Sequence, residues 1–181
     1  TSNVKSYGGE LNVDKLVVGV LQKGETIDAT IPGCSQYREI KREYFDISGD
    51  VLDVTLKLAN QQDYSLVFWA YNSGSDFYDL SDLSQIKMNI PNGVVAYADM
   101  EKMDAFYATI LDFTMEEGID TYPQKVMMER PLAQINVGTT GTPVPAVFSA
   151  SSVCDTFHPM WKGLSGRVDV YWKFEEISDE V

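Results

Sequence analysis

The residues able to do chemistry are few and scattered. His158 is the only histidine, and Cys34 and Cys154 are the only cysteines. A Ser-His-Asp arrangement would have to use His158 as its base. No serine sits in a Gly-x-Ser-x-Gly context, so the turn that presents such a nucleophile is missing. His158 therefore reads as a loop or boundary residue. A zinc site needs three or four nitrogen and sulfur donors, and one imidazole with two distant thiols does not supply the usual ligand spacing. The cysteines read as ordinary thiols, with a single bridge open to them only in an oxidising compartment.

Carboxylates are plentiful but unpatterned. Asp76, Asp79 and Asp82 lie three apart, whereas an EF-hand loop needs ligands two apart and a Gly at its sharp turn. The stretch reads as a loop. A pair of carboxylates can hydrolyse glycosides, but with 27 acidic residues some pair will lie at a suitable distance by chance. There is no Gly-x-x-x-x-Gly-Lys-Ser/Thr and no Gly-x-Gly-x-x-Gly. The sequence thus names no catalytic, cofactor-binding or metal-ligating residue, and no enzyme activity, cofactor or metal is expected.

Aromatic side chains offer another chemistry, stacking on sugars. Trp69 and Trp172 fall in strand-like stretches and read as packed. Trp161 follows His158 in a loop and is the better candidate for exposure, with Tyr78 and Tyr171 as possible companions. A surface carbohydrate-binding β-sandwich is the second functional reading.

Composition limits the partners. Among 181 residues the formal net charge is −13, and the isoelectric point is near 4.3. Clustered Lys and Arg are what a phosphate backbone or an anionic lipid surface requires, so nucleic acid and direct membrane adsorption are not expected. No apolar run approaches the ~20 residues of a membrane helix. A chain of this length buries roughly 70% of its unfolded surface and needs no disulfide or metal for stability.

The elements that must position these residues are strands. Leu11–Gln22 alternates with both faces apolar, which predicts cover on both sides. Lys23-Gly24-Glu25 signals a turn, and Thr26–Gly33 reads as extended. Gln36–Ser48 mixes charges of both signs and reads as a solvated face. Val51–Leu58 alternates cleanly, with Leu52, Val54, Leu56 and Leu58 on one side, and predicts a half-exposed strand. Tyr64–Tyr71 is apolar on both faces and predicts the central strand. Ile86, Met88 and Ile90 make a short strand stopped by Pro91-Asn92-Gly93.

Asp99–Phe106 has the pattern of one or two helical turns capped by Asp99. Tyr107–Met115 predicts a strand, with a continuous helix to Glu117 as the competing reading. Val126–Val137 alternates from Pro131 onward and predicts another strand, ended by Gly138-Thr139-Thr140-Gly141. Val147–Val153 with Phe157, and Val168–Phe174, complete the set. The predicted core is Leu16, Val18, Val20, Leu56, Leu66, Phe68, Ile135, Val137, Val168 and Val170. Residues 1–10 read as a flexible lead-in, 11–175 as one all-β sandwich domain with at most one short helix, and 176–181 as an acidic tail.

One stretch carries a resemblance. Arg130-Pro131-Leu132-Ala133-Gln134-Ile135-Asn136 resembles the Arg-Pro-x-Ala-Gln-hydrophobic strand of the fimbrillin-like proteins of the Bacteroidales, relatives of type V pilins. Three other stretches agree in order: Asn12–Val20 is similar to a first mature strand, Tyr64–Asn72 to a central strand, and Asp104–Ala108 to a short segment before a later strand. The resemblance spans Asn12–Val137.

It implies a transthyretin-like Greek-key β-sandwich with no enzymatic chemistry. The implied role is a surface structural or adhesive protein, a fimbrial subunit whose partners are other subunits or a host or glycan receptor. The implied location is the cell surface and outer membrane, through a lipid anchor on a leader that this chain lacks. Complete pilins usually carry two sandwich domains, whereas this chain reads as one. Arg130 and Gln134 fall on the more polar face of their strand, and Arg130 is expected to pair with a carboxylate and fix register. Assembly by β-strand donation would use a groove beside Leu11–Gln22; the alternative reading is a complete sandwich in which Leu11–Gln22 is an ordinary paired strand.

Overall fold

The computed structural model describes residues 12–96, 102–118, 121–132 and 147–173. The architecture is an all-β sandwich, and the helical turns among these residues are short 3-10 turns. The main sheet has the order β2-β1-β3-β7, all antiparallel, built from β1 (Lys15–Thr26), β2 (Ser35–Asp46), β3 (Asp63–Tyr71) and β7 (Ala105–Thr114). A second sheet has the order β10-β9-β5-β4, from β4 (Tyr78–Asp79), β5 (Ile86–Met88), β9 (Thr156–His158) and β10 (Gly163–Ser165). A third joins β6 (Val94–Ala96), β11 (Val168–Lys173) and β8 (Val147–Val153), with β6 parallel to β11.

The main sheet is buried on both faces, as the double apolar pattern of β1 and β3 requires. On one face Val17, Leu21, Val67, Trp69 and Tyr107 meet Leu83, Ile86, Phe157 and Met160. Gly19 lets these layers approach, because a Cβ there would lie 2.7 Å from Leu83 Cδ1. On the other face Leu16, Val18, Val20, Tyr64, Leu66 and Phe68 are covered by half-buried side chains, chief among them Leu52, Val54, Leu56 and Leu58.

That cover corrects an expectation. Val51–Leu58 is extended, and its exposure alternates as predicted, but it forms no strand ladder. The reason is topological. β2 and β3 both run antiparallel to β1, hence parallel to each other, so the chain must cross back over the sheet between them. Residues 51–58 are that crossover. Lys41 Nζ donates to the Lys57 carbonyl at 3.0 Å, and the Tyr64 hydroxyl bonds both the amide and the carbonyl of Ala59 at 3.1 Å.

Other expectations change with it. Gln36–Ser48 is not simply a solvated face, because most of it is β2, an edge strand. The turn at Lys23–Glu25 and the extended stretch after it exchange places: β1 continues to Thr26, and residues 27–34 turn, with Cys34 N donating to Ile31 O. β1 is an interior strand between β2 and β3, so no open groove lies along its edge. Ala105–Thr114 is a strand, which removes the helical alternative.

Val126–Leu132 is extended but touches β7 through one bridge, Tyr107 with Glu129, and bends at Pro131. Proline cannot donate to a ladder. Ala133–Val137, with Gln134, and Asp99 lie outside the described residues. Of the predicted core, Leu16, Val18, Val20, Leu66, Phe68 and Val170 are buried, Leu56 and Val168 are half-buried, and Ile135 and Val137 lie outside the described residues.

Candidate functional site

Polar and aromatic side chains gather at one end of the sandwich. There the β9–β10 hairpin, the 3-10 turn Pro159–Trp161, the rim of β7 and the segment around Glu129 meet. The hairpin register sets His158 opposite Gly163 and Thr156 opposite Ser165. His158 and Ser165 are therefore diagonal neighbours on one face. Their Nε2 and Oγ atoms are 2.7 Å apart. Burial pushes the imidazole below its ordinary value, against the opposing pull of Asp82 and the Ser84 backbone. A neutral imidazole with its hydrogen on Nδ1 accepts a hydrogen bond from the serine hydroxyl at this distance; the other tautomer donates to it.

The contact stops short of a triad. Asp82 Oδ1 accepts from the amide and hydroxyl of Ser84 at 2.9 and 2.7 Å, and Oδ2 accepts from Gln85 at 3.0 Å. This carboxylate closes its own turn, and no hydrogen bond joins it to His158 among the described residues. Ser165 escaped the sequence reading because its partner is set by hairpin register, not by a motif.

Trp161 folds back over the hairpin. Its ring stacks on His158 at 4.7 Å between centroids, with the planes 25° apart. It also lies against Gly163, where a Cβ would fall 1.6 Å from the ring. Trp161 is half-buried rather than open. Beside it, Lys162 Nζ and the Tyr107 hydroxyl both donate to Glu129 Oε1, at 2.6 and 2.7 Å. Lys162 foremost, then Tyr107, holds the Glu129 carboxyl below its usual range. Burial first, then Glu129, pushes the Tyr107 hydroxyl up.

Between β7 and the diverging segment opens a cleft of about 280 Å³, lined by Tyr107, Thr109, Lys125, Met127, Glu129 and Lys162 among others. A second cleft, about 380 Å³, lies elsewhere among Lys87, Met88, Asn89, Ile90, Asp155 and Val168. Neither includes His158, Ser165 or Trp161.

Other candidates are spent on structure. Arg130 pairs with a carboxylate as expected: it forks onto Asp104 at 2.9 and 3.1 Å and lies 4.7 Å from the Phe106 ring centre. Arg42 forks onto Glu39, both contacts 2.6 Å, and donates to the carbonyls of Leu80 and Ser81. It thereby docks the Asp76–Ser84 loop onto β2. In that loop Asp79 accepts from the Ser81 amide at 2.9 Å, and no metal-holding group forms among the described residues.

Cys34 and Cys154 are free and half-buried, and Cys154 accepts a contact from Arg167. Trp69 is fully buried amid Tyr78, Tyr107 and Phe157. Tyr78 points inward, its hydroxyl donating to Met103 O at 2.7 Å and held protonated by burial. Tyr171 is exposed on β11. With Tyr78 inside, Tyr78, Trp161 and Tyr171 do not form one platform. The Trp172 side chain lies outside the described residues.

Fold and site define an all-β sandwich in which Arg42, Arg130 and Lys162 tie separate segments together. Residues 26–145 match the model of a family of unknown function, DUF6562, and the chain belongs to that family. No curated protein and no solved structure matches it.

Proposed function

We propose that this chain is a non-enzymatic structural or adhesive protein of the cell surface, similar in role to a fimbrial subunit. The observation that carries the reading is the Arg130–Asp104 fork. The most distinctive side chain of the fimbrillin-like stretch is used to clamp one segment to another, as in a load-transmitting body. The order of the resembling segments supports the same role. So does the expenditure of Arg42, Lys162 and Glu129 on internal ties. On this reading the protein reaches the outer membrane through a lipid anchor carried on a leader. Its partners are other subunits or a host receptor.

Antibody labelling of intact cells that make the protein, with surface protease digestion, tests the proposal. Labelling and protease loss on unbroken cells are expected. Confinement to the cytosolic fraction would refute it.

A second reading, carbohydrate binding, is favoured by the 280 Å³ cleft, which is lined by a tyrosine, two lysines and a carboxylate. Glycan-array binding that disappears in Glu129→Ala and Tyr107→Phe would support it. An array with no hits would remove it.

A further inference from the structure

β2 is a 12-residue strand at the edge of the main sheet, and among the described residues its only ladder partner is β1. A long edge with unpaired amides is a template for another strand unless something blunts it. Here the edge carries an ordered set of charges: Arg38, Glu39, Lys41, Arg42 and Glu43. The order is self-complementary. Laid antiparallel against its own copy about a two-fold axis at Lys41, with Ile40 left out of the pairing, the strand sets Arg38 opposite Glu43 and Glu39 opposite Arg42, each twice, against one like-charge contact of Lys41 with its own copy at the centre. Tyr37 then faces Tyr44. Sliding the copies by one residue sets Arg38 opposite Arg42 in one direction and Glu39 opposite Glu43 in the other. Like charges directly opposite are destabilising, so the neighbouring registers are penalised.

Side-chain direction agrees, because of a bulge. In a regular strand Arg38 and Glu43, an odd number of residues apart, would point to opposite faces. The β1–β2 register shifts between Val20 and Leu21, pairing Val20 with Lys41 and Leu21 with Glu39, and leaves Ile40 as the extra residue. In consequence Arg38 stands opposite Gln22 and Glu43 opposite Val18, both on the face covered by the crossover. Glu39 and Arg42 stand opposite Leu21 and Gly19, both on the other face. Each complementary pair therefore shares a face. Within one copy Glu39 already forks onto Arg42, and Glu43 pairs with Lys41 at 2.6 Å, so a second copy exchanges these contacts and adds a carboxylate only for Arg38. Arg38 contacts only Gln22, through a 3.1 Å hydrogen bond, and has no carboxylate partner among the described residues. Ile40 and Tyr44 are exposed, at 42% and 57%.

We infer that the β2 edge pairs with the β2 edge of a second copy of this chain, joining two main sheets into one continuous sheet across a two-fold axis. The pairing is isologous, so each contact away from the axis occurs twice and the assembly closes as a dimer. It does not depend on the surface-structural reading, since the complementarity lies in the strand itself. The contact is small, so the dimer is weak and concentration-dependent.

Sedimentation equilibrium of the full chain up to about 1 mM tests it, a range in which a contact of this size still reports. The wild type is expected to show a monomer–dimer equilibrium, with amide exchange along Tyr37–Tyr44 slowing as concentration rises. Arg38→Glu places like charges opposite each other twice and should weaken the dimer roughly tenfold or more. The double variant Arg38→Glu, Glu43→Arg reverses the pair and should restore it. Thermal melting of the variants controls for folding. A wild type monomeric throughout the range overturns the inference. So does a dimer indifferent to Arg38→Glu, or one that the double variant fails to restore.

Discussion

Arg130 holds Asp104 through two hydrogen bonds, of 2.9 and 3.1 Å, while its guanidinium lies over Phe106. The two residues bracket the start of β7 and the segment that meets it at Glu129. Arg130 is partly exposed, but the Asp104 side chain is only 12% exposed. Removing the arginine therefore strands a carboxylate more than it uncovers a charge.

Arg130→Ala is expected to destabilise the protein by about 1–2 kcal/mol, within the range for a hydrogen bond to a charged group discounted for exposure. Arg130→Lys should recover only part of that, because an ammonium cannot fork onto a carboxylate. Urea midpoints measure both. A midpoint unchanged in Arg130→Ala would show that the fork is ornamental.

The crossover makes a second prediction. Leu56 is half-buried over the β1 face, and its neighbour Thr55 points outward. Leu56→Ala should cost about 1–2 kcal/mol, below the range for a fully buried leucine. Thr55→Ala should change stability by less than about 0.5 kcal/mol. Equal effects at the two positions would mean that residues 51–58 do not lie on the sheet as described.

These two cases show where the sequence was legible. β1 and β3 were readable because both their faces are apolar, and only burial on both sides explains that. Val51–Leu58 has the side-chain pattern of a strand without its hydrogen bonds, since period-two alternation reports which side is buried and is silent about the backbone's partners. β2 was hidden for two reasons. An edge strand carries charge on both faces, and the bulge at Ile40 breaks the alternation midway. The candidate site was less legible still. Tyr107, Glu129 and Lys162 come from three separate stretches, and His158 meets Ser165 only through hairpin register. Arg130 was the exception, because its place on the polar face of an alternating stretch suggested a carboxylate partner, and Asp104 supplies one.

Gly163 supports a third prediction. The Trp161 ring occupies the space where a Cβ would stand. Gly163→Ala must push the ring off the hairpin and away from His158. Tryptophan emission should shift to the red as Trp161 gains exposure, while Trp69, fully buried, keeps its own signal. An emission spectrum identical to the wild type would mean that the ring does not rest on Gly163.

The last prediction follows from the His158 imidazole. Burial lowers its affinity for protons below the ordinary value of 6.5, although Asp82 and the Ser84 backbone pull the other way. The unfolded chain, with the ordinary value, binds the proton first as pH falls. Protonation therefore favours unfolding through the interval between the unfolded and folded values, and stability rises with pH across it. The melting temperature should fall as pH drops from about 7 to about 5.5. His158→Gln should flatten the curve over that interval. Glu129 and Asp14 have lowered values, so the stability they contribute is present above their ordinary values of 4.5 and 3.8 and is lost only at more acid pH. The histidine interval is therefore separable from theirs. A wild-type melting temperature that is flat or rising as pH falls from 7 to about 5.5 would show that the imidazole keeps, or gains, proton affinity on folding, and would remove the basis for reading it as a neutral group beside Ser165.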